Sequence, residues 1–206
     1  MGAVFNNHVF PKWSESEVFK DKIEISDEHD CTEFALLDFS FCKKEGAKLD
    51  SFENEFIQSF LHAVKTLAEK RRDSVCPGAY VVTQYSEVIP VLYLTRHCLE
   101  LALKQAIRRI GYDPKKTHGL VPLWDSLWTH FPNQRTGEDR RAINNMGKFV
   151  RAIDGVDKDG VSLRYPMDRT GNFTQDKPLF VSCDEIAFYL DKFVEQLSEL
   201  NVEHLA

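Results

Sequence analysis

Three charged residues, Arg96, Glu100 and Lys104, stand four apart within the otherwise apolar run from Val91 to Ile110. Steps of four stack side chains on one face of a helix. The rest of that helix, including Leu92, Leu99, Leu103 and Ile107, is apolar nearly all round, which places it inside a bundle and not on its surface. An unpaired charge in such a place costs on the order of several kcal/mol, so the stripe requires a polar network, a helix interface or a ligand. Spacing alone leaves all three open. His97 lies about 100° around the helix from Arg96 and is the first candidate for a general base, although a packed or surface role is commoner for such a histidine. His118, beside Thr117 at a helix entrance, is placed to bond Glu100 and tie two helices together. Arg164 and Asp168 either pair locally or leave Arg164 to turn inward and neutralise Glu100. Lys104 either meets a phosphate at the bundle edge or, more simply, pairs with Glu100 within the helix.

The elements that must position these groups read as helices. Phe52, Phe56, Ile57, Phe60, Leu61, Val64 and Leu67 recur at helical spacing and predict a helix from Asp50, as N-cap, to Arg72. Asp73 to Gly78 breaks it. A second helix is expected from Ser86, with Pro90 in its first turn where no intrahelical bond is sacrificed, to Ile110, with Gly111 ending it. A third is expected over Thr117 to His130, with Trp124 and Trp128 as core or interface anchors, closed by Phe131-Pro132. A fourth spans Gly137 to Ile153, and Ser182 with Glu185 announces the last, Cys183 to Leu200.

The fold class expected is all-α: an up-and-down bundle of about five helices spanning residues 49–206. Residues 1–48 read as an irregular extension, an arm or a small β element with extended candidates at Lys22 to Ile25 and Phe34 to Phe41. A short hairpin or loop is expected between Val161 and Val181.

Composition narrows the function classes. With 206 residues, 43% hydrophobic and 28% charged, the chain can bury one substantial core. No run of eighteen apolar residues and no secretory leader is visible, so a cytoplasmic protein with no membrane partner is expected. Cysteines 31, 42, 76, 98 and 183 are odd in number and lack Cys-x-x-Cys pairing, which argues for reduced thiols and against a zinc site. No metal or cofactor is expected. From Lys104 to Arg151 ten lysines and arginines face four acids, so this stretch carries +6 and the remainder −12 of a net −6. Such a basic stretch, in which Lys104, Arg108 and Arg109 stand first, is either a phosphate-binding surface or an ordinary solvated face. Walker, dinucleotide-binding, His-Glu-x-x-His and Gly-x-Ser-x-Gly motifs are absent.

Three ordered blocks nevertheless resemble one family. Leu94-Thr95-Arg96-His97-Cys98-Leu99-Glu100-Leu101-Ala102-Leu103-Lys104, then Thr117-His118-Gly119-Leu120 with Leu123-Trp124, then Leu163-Arg164-Tyr165-Pro166-Met167-Asp168 with Gly171-Asn172, together resemble HEPN-domain proteins (higher eukaryotes and prokaryotes nucleotide-binding) over roughly residues 50–200. The resemblance implies a helical bundle that often dimerises and is frequently encoded in prokaryotic toxin–antitoxin or defence systems, where many such domains are RNases. In that family cleavage usually depends on an Arg followed, after a spacer of four to six residues, by a His near the start of a late helix. None of this chain's seven histidines has an Arg at that distance upstream. A metal-independent RNase needs a base, an acid and positive charge on the phosphate, and here the charge alone is assured.

Two functions follow as expectations. The first is a non-catalytic HEPN-like module that binds RNA, a nucleotide or a protein partner through Arg96, His97, Lys104, Arg108, Arg109 and Arg164, with Glu100, His118 and Asp168 as a structural polar network. The second is an RNase toxin with a composite site, His97 as base and Arg96 or Arg164 on the phosphate. A third role for the charged stripe is to set helix register and oligomer specificity.

Overall fold

A computed structural model describes residues 49–74, 85–130, 137–158 and 181–200, together with 160, 162–165, 167, 170–172 and 174 of the loop between the last two segments. All of them belong to the unit Cys42–Ala206. Of the break expected over Asp73 to Gly78, Asp73 and Ser74 are instead helical, while 75–78, like the expected N-terminal extension 1–48, Phe131-Pro132 and Asp168, lie outside the described residues.

Among the described residues five helices form an all-α bundle: α1 (Leu49–Ser74), α2 (Tyr85–Arg109), α3 (Leu120–His130), α4 (Gly137–Val156) and α5 (Cys183–Ser198). Helix α2 is the hub, packing against each of the other four. That position explains its sequence: Val91, Leu92, Cys98, Leu99, Ala102, Leu103, Ala106 and Ile107 are all buried, so three sides of the helix must be apolar. Around them pack Ile57, Leu61 and Val64 of α1, Leu123 and Leu127 of α3, Val150 and Ile153 of α4, and Leu190 and Phe193 of α5. Each such aliphatic or aromatic side chain contributes roughly 1.5–3 kcal/mol of transfer free energy when fully buried.

The helix ends differ from the expected bounds for local reasons. Asp50 is the second residue of α1 and not its N-cap. Helix α2 closes one residue early because Gly111 adopts φ +88. The amide of Tyr112 then donates to the Ile107 carbonyl at 3.1 Å and that of Gly111 to Arg108 at 2.9 Å, the paired bonds of a Schellman end. Helix α3 starts at Leu120 and not at Thr117, because the Thr117 hydroxyl accepts from the Gly119 amide at 3.1 Å and folds these residues into a tight turn. Helix α4 runs three residues beyond Ile153, to Val156.

Helix α5 begins as expected: Ser182 is extended, and its hydroxyl accepts from the Glu185 amide. In the loop before it, the described residues form turns and bends, with an isolated β-bridge at Met167 and no extended strand. The Thr174 hydroxyl draws that loop together, donating toward the carbonyls of Ser162 and Tyr165 at 3.0 and 2.9 Å.

Candidate functional site

Arg96 faces the interior and is 4% exposed. Each of its three nitrogens donates to a different segment: Nε to the Asp157 carbonyl at 2.7 Å, Nη2 to the His118 carbonyl at 2.6 Å, and Nη1 to Glu100 Oε2 at 3.4 Å. The Asp157 carboxylate, fully buried, adds Oδ2 at 3.6 Å from Nε. Its other oxygen accepts from the Ser162 amide at 2.9 Å, so one carboxylate serves both the guanidinium and the loop. Gly160 lies flat against the guanidinium with φ +76; a Cβ there would stand 2.9 Å from Nη1. Both the backbone sign and the space therefore demand glycine.

Glu100 continues the network outward. Its Oε1 accepts from Lys104 Nζ at 2.6 Å and lies 3.0 Å from His118 Nδ1. Burial pushes the carboxyl upward, and the bonds and charges of Lys104 and His118 more than offset this, so the net shift is below the usual glutamate value. The His118 side chain is itself largely in solvent, which makes it and Lys104 the outer edge of the hub. These are the intrahelical pair and the helix-bridging histidine expected from the spacing. Nearby, Asp154 Oδ1 accepts from the Leu120 amide at 2.8 Å, so a carboxylate of α4 satisfies the N-terminus of α3.

One turn earlier on α2 a second cluster opens to the surface. The rings of Tyr93 and His97, four residues apart, are parallel within 3° at a centroid separation of 6.4 Å. Phe60 of α1 packs perpendicular to His97, with ring centroids 4.7 Å apart. The Arg164 guanidinium sits over the Tyr93 ring, 5.4 Å from its centroid. Burial of the half-buried His97 ring holds its pKa below the usual histidine value, with Arg164, Arg96 and Lys104 acting in the same direction and Glu100 against. The neighbouring Tyr165 and Met167 are 59% and 48% exposed.

His97 and Arg164 thus converge on Tyr93, while Arg96 belongs to the sealed hub. Arg164 is exposed and does not turn inward to Glu100, because Lys104, His118 and Arg96 already occupy that carboxylate. Arg108 pairs with Glu53 of α1, and Arg109 donates to the Leu197 and Ser198 carbonyls at the C-terminus of α5, where a cation suits the helix dipole. The bases left exposed in the basic stretch include Lys115, Lys116, Arg140, Lys148 and Arg151. Asp157, Gly160 and Tyr93 had no expected role. Tyr93 carried a signal, standing three before Arg96 and four before His97; Asp157, 61 residues from Arg96, carried none.

No group of three or more His, Cys, Asp or Glu suited to a metal ion occurs among the described residues, and no helix there is long and apolar enough to cross a membrane. No protein-family model matches the chain, and neither a curated protein nor a solved structure does.

Proposed function

We propose that this chain is a non-catalytic, HEPN-like module, of the kind found in prokaryotic defence systems, that binds single-stranded RNA or a nucleotide through the face made by Tyr93, His97, Arg164 and Tyr165. The observation that carries the reading is the Arg164 guanidinium lying on the Tyr93 ring beside the parallel His97, with Tyr165 open to solvent. Unpaired bases are recognised by stacking on aromatic rings and guanidinium planes, and such a face holds both. An arginine stacked on a ring keeps its N–H edge free for a phosphate or a base. The net charge of −6 opposes indiscriminate attraction to any phosphate backbone, so affinity rests on the stacking contacts, which only unpaired bases can make.

The RNase alternative needs Arg96 or Arg164 on the phosphate and His97 as base. Arg96 has each nitrogen donating inward and reaches no phosphate without dismantling the hub. A neutral His97 beside Arg164 supplies a base and a charge but no acid.

The test is fluorescence anisotropy with a labelled single-stranded RNA, its duplex, and labelled nucleotides. Saturable binding to the single strand or the nucleotide is expected, weakened about tenfold by Tyr165→Ala or Arg164→Ala, the scale of one lost stacking contact. Intact RNA is expected after prolonged incubation. Binding indifferent to both substitutions refutes the proposed face, and cleavage abolished by His97→Ala reinstates the RNase.

A further inference from the structure

We infer that Arg96 is the positioning residue for that face: from inside the bundle it docks the segment running from Asp157 through Gly160 to Arg164 and thereby sets Arg164 over Tyr93. Arg96 and Tyr93 are three apart on α2, so a segment anchored on one must pass close to the other. The anchors recur at Asp157, Gly160 and Ser162. Nε of Arg96 holds the Asp157 carbonyl, Gly160 closes on the guanidinium, and the Asp157 carboxylate fixes the Ser162 amide. The Thr174 hydroxyl then shares its one proton between the carbonyls on either side of Leu163 and Arg164, those of Ser162 and Tyr165. Leu163 packs against the core between them, so the next residue has little freedom in where it leaves the surface.

A guanidinium is suited to this task because its planar fork donates in three directions from one rigid group, which an ammonium on a flexible stem does not reproduce. Arg96 therefore acts on a ligand without touching it. The positioning claim stands on the loop geometry itself; only its affinity readout rests on the binding proposed above.

The experiment compares wild type with Arg96→Lys, Gly160→Ala and Val194→Ala, the last a core truncation on α5 that serves as a stability control. The readout is the Arg164 Nε–H signal in NMR, displaced upfield while the guanidinium lies over the Tyr93 ring. Both Arg96→Lys and Gly160→Ala should return that signal to an unstacked position, and Val194→Ala should leave it displaced. Affinity for the single-stranded RNA should fall about tenfold in Arg96→Lys, with no further loss when Arg164→Ala is added, because both remove the same stacking contact.

An Arg164 signal still displaced in both hub variants overturns the positioning role, whatever the affinities. Loss of the displacement in both hub variants, when the wild-type protein binds no RNA or nucleotide, sustains the positioning role and overturns the binding function. Should Arg96→Lys fail to fold, Gly160→Ala decides alone, since it alters the docking surface and leaves every charge in place.

Discussion

Thr95 is wholly buried on the same turn of α2 as Arg96, and among the described residues its hydroxyl has no hydrogen-bond partner. Replacing such a group by one of like shape removes a desolvation cost and no bond, so Thr95→Val should match or exceed wild-type stability in urea melts. Arg96 is the opposite case. Arg96→Met strands the buried Asp157 carboxylate and should cost about 3–5 kcal/mol; adding Asp157→Asn should recover part of the loss, because the amide oxygen still accepts from Ser162 while the uncompensated charge is gone. Denaturant midpoints of the single and double variants check this, and a double variant no better than the single contradicts it. Burial pushes the Cys98 thiol up to about 12, so it should resist alkylation at neutral pH until the bundle unfolds, as peptide mapping would reveal. At this scale the local half of the hub was legible. Glu100, Lys104 and His118 were paired correctly because helical spacing and a helix entrance are visible in the sequence. Asp157 was not, since nothing local marks a carboxylate that closes on an arginine 61 residues away.

Helices interlock here through single atoms as well as through the core. Helix α3 starts on a carboxylate borrowed from α4, and α4 approaches α3 so closely that a Cβ on Gly147 would stand 2.9 Å from Trp124 Nε1. Asp154→Ala should therefore cost about 1 kcal/mol, the scale of a lost N-cap, and should accelerate hydrogen exchange in the first turn of α3 ahead of the rest of the helix. Uniform acceleration across the bundle would argue against a capping role. The five helices were readable from apolar periodicity, since each buries a regular stripe. Their ends were less so: Thr117 resembles a helix start, but its hydroxyl serves the Gly119 amide, and the donor group of Leu120 finds its partner in another helix.

For the molecule as a whole, the buried charges make stability pH-dependent in a defined sense. Glu100 titrates below its ordinary value of 4.5 when folded, so the unfolded chain binds the proton more readily. The stabilisation is complete above that ordinary value and is lost as pH falls through the lowered one. His97, held below its ordinary 6.5 by burial, adds a loss in the same direction that begins under pH 6.5. Thermal melts should accordingly show a midpoint that declines as pH falls below 6.5 and again below 4.5, with His97→Phe flattening the upper limb. The same separation of sealed and open charge governs function. The sequence shows a basic stretch, but folding commits Lys104, Arg108 and Arg109 to internal partners, leaving an aromatic face on α2 as the proposed reader of RNA.

The most direct test of that proposal is an NMR titration of the folded protein with a short single-stranded RNA, following backbone and side-chain shifts. The expected changes centre on Tyr93, His97, Arg164 and Tyr165 and spare the exposed Arg140, Lys148 and Arg151 of α4. Changes centred on those α4 bases, or none at saturating RNA, would contradict it.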